Sequence, residues 1–490
     1  MSLAYKQRSA QLKETPSTER YPNFTPSHTI EQFIAQFGAL AAGAETDEAT
    51  VSVAGRIRGL RTYGNLVFLD IQNGWSPKLQ LMLNKRLLQL TTSFKQLKRQ
   101  LHLGAIVGAK GQAVRTEAGE LTLRALTVQV LAPCLHELPE DLSDPKLRVD
   151  QRYLDLLVNP ASFERMRRRC QIVTQIRSFL EQQGFLEVET AILCSQASGA
   201  AARPFTTYHH ALKRDLHLRI SPELALKRLV VGGMHQVFEL GRQFRNEQID
   251  PSHNPEFTSC EAYIAYRDYH YWLHLTEQLF HQLDPDQFKL PFQRIDINSF
   301  LTSEIQQRLN MPFRLPGESF QSPAMHQHLR LLVHSLGFTC HPPQTSSRLL
   351  NVLIEELIEP HCQQPTFVMN HPTIISPLAK SQLEDPELTE RFELFVAGRE
   401  LCNAVTELND PVEQLTRFQD QAKEREQGDQ EATLPDLDYI QALEHGLPPT
   451  AGWGLGVDRL VMLLTGVNTI KDVILFPARG RKNQLALNTH

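Results

Sequence analysis

A chain of 490 residues, 41% hydrophobic and 21% charged, has the composition of a globular protein with room for two or three cores. Its net charge of -5 excludes an overall basic field as the means of holding nucleic acid, but leaves a local basic surface open. The seven cysteines are dispersed without a CxxC spacing, residues 1–20 have no apolar signal core, and no apolar run approaches membrane-spanning length, so a cytoplasmic protein without disulfides, zinc or a membrane anchor is expected.

Residues 1–46 form an N-terminal extension. Within it Ile30, Phe33, Ile34 and Phe37 follow helical spacing and Gly38 stands where a helix can stop. Residues 47–133 change to short strands with polar or Gly-rich connections and one helical segment, SFKQLKRQLH, after the third strand. Five strands and one helix are the pattern of an OB-type barrel, a fold that commonly holds single-stranded nucleic acid. Phe68 is the candidate to stack a base and Gln80 to read an edge, with Arg56, Arg58 and Arg61 for phosphates; the competing reading is a core Phe68 and solvated arginines. Residues 134–160 read as a linker and 161–490 as the larger domain.

The larger domain opens on a helix from about Ser162 to Gln183, with an apolar stripe of Met166, Cys170, Val173, Ile176 and Leu180 and with Gly184 to stop it. The run Arg165, Arg167, Arg168, Arg169 on this helix reads as a solvated face. The small-residue loop ASGAAARPF follows the strand GFLEVET and contains Gly199, where backbone can approach a ligand. Next, LHLRISPELALKRLVVGG reads as a strand entering a helix, with Glu223 near the helix start, a favourable place for an acid in any helix.

Two apolar strands joined by a polar loop then run from Val237 to Asp268. In the second, Phe257, Glu261 and Tyr263 share one parity and Cys260, Ala262 and Ile264 the other, so one face packs while the other carries a carboxylate and aromatics. Arg245, Glu247, His253 and Asn254 stand in the loop. A second hairpin, RFELFVAGRELCNAVTELNDP, puts Asn403, Val405 and Glu407 on one face and Glu400 on the opposite parity; a bulge or turn is required if both glutamates are to meet one ligand. Residues 409–446 read as a polar helical stretch, and GWGLGVDRLVMLLTG as a Gly-rich strand entering an apolar helix. Arg459 stands at that junction, against the dipole preference, which suggests an anionic partner.

In this order, the long helix with its strand, the FRNE hairpin and the closing GLGVDR resemble the three motifs of class II aminoacyl-tRNA synthetases. GRQFRNE, HNPEFT, SPLAK, RFELF, ELNDP and ILFP are more closely similar to the lysyl-tRNA synthetase family, over about residues 5–478. The resemblance implies an α+β fold: a class II antiparallel sheet flanked by helices, with an N-terminal OB-fold β-barrel that binds the anticodon. It implies a homodimer, and the attachment of L-lysine to tRNA(Lys) through a lysyl-adenylate made from ATP with Mg2+.

Carried onto this sequence, the resemblance implies catalytic Arg245 and Arg459 on the phosphates, and Glu247, His253, Phe257 and Glu400 as further contacts to ATP. Glu261, Tyr263, Asn403 and Glu407 would meet the ε-ammonium of lysine, and Gly199 and Glu223 the α-ammonium. Glu400 and Glu407 would serve magnesium, with amine recognition weighted above metal binding at Glu407. Ala191, Gln248 and Val405 depart from the family's proline, glycine and tyrosine; Val405 removes an aromatic wall from the amine site and predicts a remodelled pocket or weaker lysine binding. Two rival readings are a paralogue that lysylates a protein, which generally lacks the barrel, and a catalytically idle RNA-binding protein, which has no need of Arg245, Arg459, Glu400 and Glu407 together.

Overall fold

The computed structural model describes residues 2–17, 20–46, 50–89, 93–310, 319–426, 428 and 435–478. The sequence readings that fall on 427, 429–434 and 479–490 lie outside the described residues. The chain forms two compact units, Met1–Phe163 and Glu164–His490.

The first unit is a closed five-stranded barrel of β1 (Val51–Tyr63), β2 (Leu66–Gln72), β3 (Leu79–Asn84), β4 (Ile106–Arg115) and β5 (Leu121–Ala132), in the order β1-β2-β3-β5-β4. β3 and β5 run parallel and the other pairs antiparallel. Alternation drives closure: Leu79, Leu81 and Leu83 are buried, while Gln80, Met82 and Asn84 of the same strand face outward. Closure leaves no unpaired sheet edge. The helix Ile30–Phe37, started by a capping box of Thr29 and Gln32, packs Ile30, Phe33 and Phe37 into the barrel's core.

The second unit is built on an eight-stranded sheet. Its order is Gln293–Asp296, Thr366–Met369, Arg391–Val396, Arg399–Thr406, Thr450–Gly456, Glu256–Ala265, Gln236–Phe244, Leu186–Glu187. The six central strands are antiparallel and a parallel strand closes each side. Cys260, Ala262 and Ile264 join the main core with helices Tyr269–Leu283 and Val457–Leu464, where Trp272 stacks on Trp453 with ring centroids 5.3 Å apart. A satellite core forms among helices Ile297–Leu309, Pro323–Ser335 and Ser346–Leu357.

Two expectations for the helix Pro160–Gln182 change. Its buried side chains include Ile172 and Phe179, whereas Cys170 is exposed, because the stripe facing the sheet is turned away from Cys170. Of the arginine run only Arg167 is exposed; Arg169 is buried against Asp458. Gly184 does end the helix, in a left-handed conformation at φ 88°, with the Phe185 N–H returning to the Leu180 carbonyl. Among the described residues no helix is long and apolar enough to cross a membrane.

Candidate active site

The face of the sheet opposite the main core bounds a cavity of about 520 Å³, within the range that holds a small ligand or cofactor. Strand Glu256–Ala265 points Phe257, Ser259, Glu261 and Tyr263 into it, as their parity requires. Its neighbour Thr450–Gly456 supplies glycines instead of side chains. A Cβ at Gly452 would collide with Glu407 Oε1 and stand 2.6 Å from Tyr263 Cε1, so the absence of a side chain there is what lets those two groups meet.

The next strand, Arg399–Thr406, carries the irregularity that two same-face glutamates demand. Leu394 pairs with Cys402 but Phe395 pairs with Glu400, leaving Leu401 unpaired in a bulge. Leu401 and Cys402 are both buried, and the parity changes between them. Glu400, Asn403, Val405 and Glu407 therefore all line the cavity.

One end of the cavity is cationic. Arg245 lies over the Phe257 ring, 5.1 Å from its centroid, and its buried Nε has no hydrogen-bond partner among the described residues. Such a donor is suited to an anion. Arg459 donates to the Glu400 carbonyl at 3.1 Å and carboxylate at 3.2 Å, and stands 3.1 Å from His253 Nε2. The other nitrogen of His253 is 2.8 Å from Asp250. Glu247 lines the same end. Asp458, next to Arg459, pairs with Arg169 and accepts the Thr258 N–H at 2.7 Å.

The other end is acidic. Glu261 accepts from the Ser221 hydroxyl at 2.9 Å and from Tyr263 at 3.2 Å. Burial first, and then the charge of Glu223, push the Glu261 carboxyl up to about 7. Glu223 and Glu407 both pair with the buried ammonium of Lys227, Glu223 at 2.6 Å. Burial opposes the charge on Lys227, but the two carboxylates outweigh it and push its pKa up. Burial also pushes the Glu407 carboxyl up, against the pull of Lys227. Gly199 approaches in a left-handed conformation, φ 90°, and a Cβ there would stand 3.1 Å from the Glu223 Cβ and 3.3 Å from the Ser221 hydroxyl. Asn403 accepts from Arg391 at 2.9 Å, and Arg391 is itself anchored to the Ile375 carbonyl and paired with Glu393.

Lys227, Ser221, Arg391 and Glu393 were not singled out from the sequence. For Lys227 the available signal was its i, i+4 spacing from Glu223. Glu393 lies across from Asn403, stands 3.2 Å from His371 and acts electrostatically on Glu400. No group of three or more His, Cys, Asp or Glu side chains that could hold a metal occurs among the described residues. Magnesium takes one or two carboxylates and completes its shell with phosphate and water, so Glu400, which lines the cavity, fits it, while Glu393 is held by Arg391 and does not line the cavity. Glu407 fits it less well, because Lys227 already occupies it.

On the barrel, Phe68 and Gln80 both face a surface groove shared with Arg61, Tyr63 and Lys78. Phe68 is half-buried on the outer parity and edges against Tyr63, 6.2 Å between centroids. Gln80 accepts from Thr122. Arg56 and Arg58 are not free for phosphates: Arg56 donates to the Gly104 carbonyl, while Arg58 donates to the Leu157 carbonyl and covers Trp75.

The chain matches the family model for class II tRNA synthetases (D, K and N) over residues 144–480, and the OB-fold nucleic acid binding domain over residues 51–131. It belongs to the class II tRNA synthetases. Within that class it is similar to lysine–tRNA ligases. One from Enterococcus faecalis is 44% identical, with 87% of this chain and 86% of the relative aligned. One from Cladosporium cladosporioides is 40% identical over 98% of this chain and 85% of the relative. A relative from Encephalitozoon cuniculi, named as cytoplasmic, is 41% identical over 95% and 94%.

Proposed function

We propose that this chain is the enzyme that attaches L-lysine to tRNA(Lys) in two ATP-dependent steps, acting as a cytoplasmic homodimer. The observation that carries the reading is one cavity with Arg245, Arg459 and His253 at one end and Glu223, Glu261 and Glu407 at the other. A substrate with two ammonium groups and one carboxylate suits the acidic end; a triphosphate suits the cationic end.

In the first step the lysine carboxylate attacks the α-phosphate of ATP and pyrophosphate leaves. Displacement at phosphorus needs alignment and neutralisation of spreading negative charge more than it needs a base. Arg245 would hold the α-phosphate and Arg459 the γ-phosphate, with His253 steadying the bent triphosphate. Phe257 would lie against the adenine and Glu247 bond its edge. Glu261 and Glu407, with Tyr263 and Asn403, would orient the ε-ammonium, and Glu223 with the backbone at Gly199 the α-ammonium. Glu400 would hold magnesium, which would supply charge neutralisation on the phosphates. In the second step the 3′-hydroxyl of the terminal adenosine attacks the lysyl carbonyl and AMP leaves.

The barrel groove favours a tRNA acceptor over a protein one, since Phe68 offers a stacking surface and Gln80 a polar edge to an unpaired base. ATP–pyrophosphate exchange measured with lysine, aspartate, asparagine and β-lysine tests the reading. Exchange with lysine alone, followed by charging of tRNA(Lys), supports it; exchange with none of the four overturns it.

A further inference from the structure

Lys227 is a fully buried cation at the acidic end, and it does not itself line the cavity. It stands behind two acids that do. Helix Glu223–Val231 carries it one turn after Glu223, so its side chain reaches the Glu223 carboxylate on its own helix and Glu407 at the end of the strand Arg399–Thr406. The contacts are selective by oxygen. Lys227 takes Oε1 of Glu223 and Oε2 of Glu407. Oε1 of Glu407 instead lies over Gly452 on the cavity floor. The rings of Tyr263 and Tyr439 flank the ammonium, with centroids 6.0 Å and 5.9 Å away, and leave it no route to solvent.

From this geometry we infer that Lys227 is a positioning residue for amino-acid recognition: one internal ammonium, gripping one oxygen of each acid, fixes the spacing and the aim of the Glu223 and Glu407 carboxylates that receive the substrate's two ammonium groups. The inference rests on the amine-pocket reading above. Two consequences follow from charge and from shape. With their carboxylates ionised, three acids set against one internal cation leave a net charge of two, matching a diammonium substrate; without Lys227 the acids repel one another and the pocket loses its form. The spacing it enforces is also a measure of chain length, so it should distinguish lysine from ornithine, which is one methylene shorter.

The test is ATP–pyrophosphate exchange by the full chain carrying K227M, which keeps the length of the side chain and removes its charge. The expected result is a lysine KM raised about ten-fold or more, the size of a lost charged hydrogen bond. The ATP KM and the rate at saturating lysine should stay close to those of the unsubstituted protein, and the preference for lysine over ornithine should narrow. An unchanged lysine KM and an unchanged preference overturn the assignment, even if the melting temperature drops. If K227M does not fold, K227Q, which also removes the charge, takes its place with the same outcomes. E407Q run in parallel separates the layers: a lysine KM unmoved by E407Q sinks the amine-pocket reading, whereas one moved by E407Q but not by either Lys227 variant sinks only the role given to Lys227.

Discussion

The carboxylate of Asp458 is gripped by Arg169 and in turn holds the backbone N–H of Thr258 at 2.7 Å. One buried acid thus joins the long helix to the neighbours of two residues expected on ATP, since Phe257 precedes Thr258 and Arg459 follows Asp458. Removing Arg169 strands that acid. R169M is expected to lower folding stability by about 3 kcal/mol, the usual cost of breaking a buried pair from one side. It should also raise the ATP KM more than the lysine KM. Chemical denaturation and exchange kinetics check both, and equal effects on the two substrates would mean a general loosening.

Glu261 predicts a pH dependence of lysine binding. Its carboxyl, ordinarily near 4.5, is pushed up to about 7 by burial and by Glu223. Between those values the folded protein holds a proton that the unfolded chain has lost, so the stability this group contributes declines as pH rises from about 4.5 to about 7. An ammonium ligand needs the charged form. The lysine KM should therefore fall by up to about ten-fold between pH 6 and pH 8 while the ATP KM stays level. The increase in melting temperature on adding lysine should be larger at pH 8. A flat lysine profile would exclude Glu261 from the amine site.

G452A tests the floor of the cavity. The new methyl would collide with Glu407 and crowd Tyr263, neither of which can retreat because both are buried. Lysine-dependent exchange should fall by about a hundred-fold or more, as expected when a buried charged contact is displaced. The opposite change is available at Val405, which lines the same cavity. V405Y should lower the lysine KM by restoring an aromatic wall; a higher KM would show that the pocket has closed around valine.

F68A separates charging from activation. Loss of one base-stacking surface typically costs about 1–3 kcal/mol, so the tRNA KM should rise roughly five- to a hundred-fold. ATP–pyrophosphate exchange, which needs no tRNA, should be unaltered. If aminoacylation is equally unaltered, the groove shared by Phe68, Gln80 and Lys78 is not where tRNA binds.

What could be read from the sequence was set by local periodicity. The parity of Phe257, Glu261 and Tyr263 places all three on the cavity side because a strand has only two faces. The same logic demanded a break between Glu400 and Glu407, and the unpaired Leu401 is that break. Parity fails where a side chain's role depends on a distant partner. Arg169 resembles its exposed neighbour Arg167 until Asp458 arrives, 289 positions away, to bury it. Lys227 is one of two basic residues in its helix, and only the return of Glu407 gives it a second acid. Arg56 and Arg58 mislead for the converse reason: their partners are backbone carbonyls, which carry no sequence signal.

The bulge at Leu401 has a consequence for how the protein can change. Upstream and downstream of it, the strand behaves as two reading frames for side chains, and one extra residue keeps Glu400 and Glu407 in phase. A single-codon deletion at Leu401 would remove the bulge and leave a regular strand with Glu400 still in phase with Glu407. A deletion between Asn403 and Thr406 that kept the bulge would instead put the two glutamates on opposite faces. Point substitutions can drift through this strand gradually, but the number of residues between the bulge and Glu407 cannot.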